Sequence, residues 1–81
     1  MNKYLDKFIP GETGTVIKIK MKESAHKRRM FDMGITPGTD ITLVKVAPLG
    51  DPMELHLRGY ALSIRKTEAQ AILMEIAGDI K

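Results

Sequence analysis

Cysteine is absent from this 81-residue sequence, which excludes disulfides and thiolate zinc sites, the usual staples of very small domains. A hydrophobic core must therefore hold the fold. Tryptophan is absent too, and the aromatics are limited to Tyr4, Phe8, Phe31 and Tyr60. That poverty argues against a stacking platform for RNA or single-stranded DNA, which interleaves rings with basic groups on one exposed face. It argues equally against an aromatic groove for proline-rich peptides. No apolar run approaches the roughly 18 residues needed to span a bilayer, and the opening MNKYLDKFIP lacks the apolar stretch of a secretory signal. A cytosolic location without membrane insertion is the expectation.

A chain of this length folds as one domain, residues 1–81, and buries only roughly 60 to 65% of the surface its unfolded form exposes. There is no room for a second core. Apolar residues at 43% and charged residues at 28% fit an ordinary globular protein rather than a disordered one. The net charge is +3, because 13 basic residues are largely offset by 10 acidic ones. This balance permits acidic partners and demands none.

Glycine and proline cut the chain into short segments at Pro10-Gly11, Gly14, Gly34, Pro37-Gly38, Pro48, Gly50, Pro52, Gly59 and Gly78. Long helices do not fit between them. Thr15 to Met21 alternates with Ile17, Ile19 and Met21 on one face, the pattern of a half-buried strand. Thr39 to Val46 is rich in β-branched residues and reads as a second strand, covered in part on both faces. The two prolines of Ala47 to Pro52 make that stretch a loop, since neither can donate a ladder hydrogen bond.

Met53 to Arg58 and Tyr60 to Arg65 alternate again around a two-residue turn at Arg58-Gly59. In that register Leu57 faces Tyr60, Leu55 faces Leu62 and Met53 faces Ile64, so six apolar side chains share the core face. Ser24 is placed to cap a helix over Ala25 to Met33, which Gly34 terminates in the left-handed conformation. Thr67 and Gln70 have capping-box spacing for a second helix from Glu68 to about Leu73. A final strand over Met74 to Ala77 closes the sheet. Five short strands with two helices predict a mainly β fold, a small barrel or tightly curled sheet.

No catalytic motif is present. The serines lie in no nucleophile motif and His26 and His56 sit on separate elements, so an enzyme is not expected. Gly11-Glu12-Thr13-Gly14 lacks the Lys-Ser/Thr of a phosphate-binding loop and is read as a turn. His26, Glu54 and His56 are the candidate metal ligands. Glu54 and His56 share one strand face, but two ligands fall short of the three or four of a zinc site. No cofactor is required, and weak binding of a transition metal ion such as Fe2+ is the alternative reading.

His26-Lys27-Arg28-Arg29 is the densest basic run, and on a helix its charges spread by about 100° per residue. Arg28 has the spacing to pair with Asp32. Met30 and Met33 share one side while Phe31 projects nearly opposite, so the two sides cannot face one small core. Either Phe31 covers a second part of the barrel, or basic and apolar groups together form a docking surface, which is the preferred reading.

Four motifs in order carry a wider likeness: Gly11-x-x-Gly14; RRMFDMGITPG over Arg28 to Gly38; APLGDP over Ala47 to Pro52; and GYxLSIRKxEA over Gly59 to Ala69. Spanning about residues 5 to 77, this set resembles the FeoA family, small cytosolic accessory proteins of bacterial ferrous iron transport. The resemblance implies an SH3-like barrel that docks on the cytosolic GTP-binding part, or another cytosolic surface, of the membrane ferrous iron transporter FeoB. It implies a regulatory rather than catalytic role; a monomer or weak homo-oligomer with no nucleic acid as partner is the expectation, a small nucleic-acid-binding barrel being the lesser alternative. A similar domain closes iron-dependent repressors of the diphtheria toxin repressor type; with no helix-turn-helix in this sequence, a free-standing repressor is not the expectation. Met30 and Phe31 stand where leucines are commoner in the family. Once the turn-forming glycines and prolines are set aside, Arg28, Arg29, Phe31, Leu49 and Asp51 remain as candidate partner-binding residues.

Overall fold

In the computed structural model, residues 1–22 and 25–76 are described in full and Ser24 by its backbone alone. The expected Ser24 cap and the last residue of the expected Met74 to Ala77 strand lie outside the described residues. Among the described residues six antiparallel strands form one sheet in the order β1-β6-β2-β3-β4-β5. They are β1 (Asn2–Tyr4), β2 (Thr13–Ile19), β3 (Asp40–Val46), β4 (Met53–Leu57), β5 (Tyr60–Ile64) and β6 (Ile72–Ile76). Helix α1 (Ser24–Asp32) joins β2 to β3, and the single turn α2 (Lys66–Ala69) joins β5 to β6. Leu5, Met30, Ile35, Ile41, Leu43, Leu55, Ile72 and Met74 are fully buried in one core.

The β4-β5 hairpin has the expected register: Met53 opposes Ile64, Leu55 opposes Leu62 and Leu57 opposes Tyr60. Its turn puts Arg58 at φ 49° and Gly59 at φ 83°. Two successive positive φ values match the right-handed twist of the strands. The core face is less uniform than the alternation implies. Met53, Leu55, Leu57 and Ile64 are buried, whereas Tyr60 is 41% exposed because its hydroxyl donates to the carbonyl of Met33 at the exit of α1.

Two bulges displace the other strands from simple alternation. In β2, Val16 opposes Met74 but Lys18 opposes Leu73, so Ile17 is the extra residue and the inward phase switches there. Val16 and Ile19 are consequently buried while Ile17 is only half-buried, and the strand begins at Thr13 instead of Thr15. In β3, Leu43 opposes Leu55 but Lys45 opposes Glu54. The inward phase thereby passes from Leu43 to Val46, which packs against the core, while Val44 keeps its outward place at 42% exposure beside half-buried Thr42, so that face is partly covered as expected. Gly14 lies within β2, not in a turn; a Cβ there would stand 2.8 Å from the Phe8 ring and 2.9 Å from the Glu75 carbonyl oxygen.

α1 ends as its sequence demands. Gly34 adopts φ 91°, the N–H of Gly34 bonds to the Phe31 carbonyl, and that of Ile35 bonds to the Met30 carbonyl. These are the paired closing bonds of a Schellman motif, completed by the burial of both Met30 and Ile35.

α2 departs from expectation. It spans only Lys66–Ala69, with Arg65 rather than Thr67 at its N-cap, and Ile72 and Leu73 belong to β6. Glu68 sets the start: its Oε1 accepts from the Arg65 N–H at 2.9 Å, closing the turn from its third position. β1 is not legible from the alternation of Asn2-Lys3-Tyr4. It is added by pairing with β6, and Lys3 locks it to the following loop through Glu12 at 2.9 Å.

Candidate docking surface

The outward side of α1 is built by the helical period. Met30 and Met33 turn toward the core, which leaves Lys27, Arg28, Phe31 and Asp32 around a shallow hollow of about 470 Å3 on the opposite side. Phe31 is 42% exposed. Arg28 is exposed as well, and its expected ion pair with Asp32 is not formed among the described residues. The hollow therefore offers an aromatic ring edged by cations and one carboxylate, a composition suited to a protein interface.

Arg29 is on the flank of the helix. Its Nη1 meets Glu68 Oε2 at 3.0 Å, which ties α1 to α2. On the far side of α2, the Lys66 N–H donates to Asp51 Oδ1 at 2.9 Å. A single helical turn is thus fastened to α1 through one residue and to the 47–52 loop through another. Leu49, at the loop tip, is 96% exposed, and no core position competes for it. Of the five candidates, Arg28, Phe31 and Leu49 are presented outward, while Arg29 and Asp51 also hold the scaffold that presents them.

Between α1 and α2 lies an open groove of about 580 Å3 lined by Met21, Lys22, His26, Arg29, Arg65 and Glu68. Arg65 borders it on one side and on the other borders a smaller hollow against Asp51 and Pro52. Lys22 and Arg65 escaped sequence reasoning because they are far apart in the chain and meet only when β2 and β5 deliver them to the same end of the sheet. The spacing of Arg65 and Glu68 was the one local signal available.

The metal candidates are dispersed. His26 is on α1; Glu54 and His56 are on β4, where Glu54 faces Lys45 Nζ at 3.7 Å. Among the described residues no three His, Cys, Asp or Glu side chains form a group able to hold a metal ion.

A sequence model of the FeoA domain matches residues 3–76 of this chain. The chain belongs to the FeoA family. A solved FeoA-like protein from Clostridium acetobutylicum is 41% identical, with a TM-score of 0.87 over 99% of this chain and 92% of that one. The Fe(2+) transport protein A/Fe(2+) transporter FeoB fusion protein of Porphyromonas gingivalis is 29% identical over 66 residues. Those residues are 82% of this chain but 8% of the fusion protein, so the FeoA domain here spans a small part of that relative. The fold extends to a zinc complex of Stenotrophomonas maltophilia FeoA, described as a prokaryotic SH3 domain protein. That match has a TM-score of 0.78 at 18% identity, over 90% of this chain and 89% of that one. The mainly β, SH3-like architecture is therefore that of FeoA domains. No helix among the described residues is long and apolar enough to cross a membrane.

Proposed function

We propose that this FeoA domain is a noncatalytic accessory protein of ferrous iron transport. It acts in the cytoplasm by docking on a cytosolic surface of a FeoB-type transporter, the GTP-binding part being the first region to test. The observation that carries this reading is the fusion in which a segment similar to this chain is joined to a FeoB transporter in one polypeptide. Physical joining makes association a property worth preserving, since a linker converts a weak encounter into an intramolecular one. The outward α1 hollow and the Leu49 tip are the contact surface, because they expose an aromatic ring, an aliphatic side chain and cations that the fold itself does not consume.

Titrating labelled protein with the cytosolic region of a FeoB transporter, and with the whole transporter, tests the proposal. Saturable binding is expected, and Arg28→Glu or Phe31→Ala should weaken it by about 1–3 kcal/mol each. Both side chains lie outside the core, so the folded state should persist. Absence of binding to either form of the transporter would reject the reading.

A further inference from the structure

The groove between α1 and α2 has a chemistry different from that of the outward hollow. Among the described residues its lining sets the permanent charges of Lys22, Arg29 and Arg65 against one carboxylate, Glu68. That carboxylate is already engaged: Oε1 accepts from the Arg65 N–H and Oε2 from Arg29 Nη1. Glu68 thus orients Arg29 while leaving the rest of its guanidinium fork, on a side chain 59% exposed, to face solvent. A guanidinium held this way has lost much of its rotamer freedom before any ligand arrives, and its geometry matches a carboxylate.

Most amides at the start of α2 are spent, leaving at most that of Thr67, which separates this groove from a phosphate cradle of several converging N–H groups. The Lys66 N–H goes to Asp51, and the Glu68 and Ala69 N–H groups go to the Arg65 carbonyl. Among the described residues no Phe, Tyr or Trp lines the groove for a base to stack on, and His26 is its single ring. Met21, half-buried and packed against the core, contributes an apolar floor. We propose that this groove receives an extended acidic segment of a partner protein, with Arg29 and Arg65 as the carboxylate ligands and Lys22 at the rim. The inference deepens the docking reading and rests on it for the existence of a protein partner.

The test is NMR titration of the intact chain with a capped peptide of mixed Asp, Glu and Ser, and with the same peptide carrying Asn and Gln at every acidic position. Saturable shifts confined to the residues that line the groove are expected. The acidic peptide should bind roughly tenfold more tightly than its neutral counterpart and weaken as salt is raised. Arg65→Glu and Lys22→Glu should each lower that affinity roughly tenfold without moving the unfolding midpoint. Equal binding of the two peptides, shifts mapping elsewhere, or tighter binding of a single-stranded oligonucleotide or of pyrophosphate would overturn the proposal. The transporter titration tests the docking reading independently. Transporter binding without selective peptide binding sinks the groove alone, and peptide binding without transporter binding sinks the choice of transporter alone.

Discussion

Arg58 occupies a turn position, at φ 49°, that Asn or Gly fills with less strain. Its side chain accounts for its presence. Nε donates to the Gly34 carbonyl at 3.3 Å, and Nη2 donates to Thr36 Oγ1 at 3.3 Å and to Thr39 Oγ1 at 2.9 Å, stitching the hairpin turn to the exit of α1. Thr39 is a buried polar residue, so the Arg58 bond to it has little competition from water. Arg58→Asn should therefore destabilise by about 1–2 kcal/mol in urea unfolding, even though Asn suits the turn; a stabilised variant would show that turn strain outweighs the bridge. Glu12 supplies the pH dependence at this scale. The hydrogen bond from Lys3, and next the Ile9 N–H, hold its carboxyl below its ordinary value. A depressed folded value means that the unfolded chain takes up the proton first. The stabilisation is then present above the ordinary carboxylate range and lost as pH falls through the depressed value. Glu12→Gln should lower stability at neutral pH and flatten that acid limb, as denaturant midpoints measured across the range would show.

At the scale of elements, local signals are legible where they are self-contained. The β4-β5 register and the Gly34 exit each depend on a few consecutive residues, and both can be read from the chain without its fold. The bulges at Ile17 and Val44 cannot, because an extra residue is defined by the partner strand and leaves no mark in the strand that carries it. α2 defeats local reading for a related reason: Thr67 and Gln70 offer a plausible cap, but the helix is fixed by Glu68 and by Asp51 from a distant loop. The candidate site shares this fate. Its exposed members are legible as residues without a core role, whereas the ties of Arg29 and Asp51 to α2 cross 39 and 15 positions of sequence. Both ties can be cut separately. Asp51→Ala and Glu68→Ala should each cost about 1 kcal/mol of stability. In hydrogen exchange, Asp51→Ala should deprotect the Lys66 amide and Glu68→Ala the Arg65 amide; protection retained in both would mean that α2 is held by packing alone.

For the whole molecule, the division of labour is between a sheet that encloses the core and a rim that faces outward. Leu49 separates the two: at 96% exposure it contributes nothing to the core. Leu49→Ser should leave the unfolding midpoint unchanged while weakening transporter binding by about 1 kcal/mol, and an unchanged titration would remove the loop tip from the surface. The pairing of β1 with β6 has a mechanical consequence. Asn2 lies opposite Glu75 and Tyr4 opposite Leu73, so the polypeptide enters and leaves the domain side by side. Tension applied across those two points loads the ladder one rung after another instead of all rungs together, and β1 peels away as a zipper opens. A neighbour tethered through this edge would feel a compliant hinge, with β6 bearing the other end of the load and β3, β4 and β5 lying farther from it.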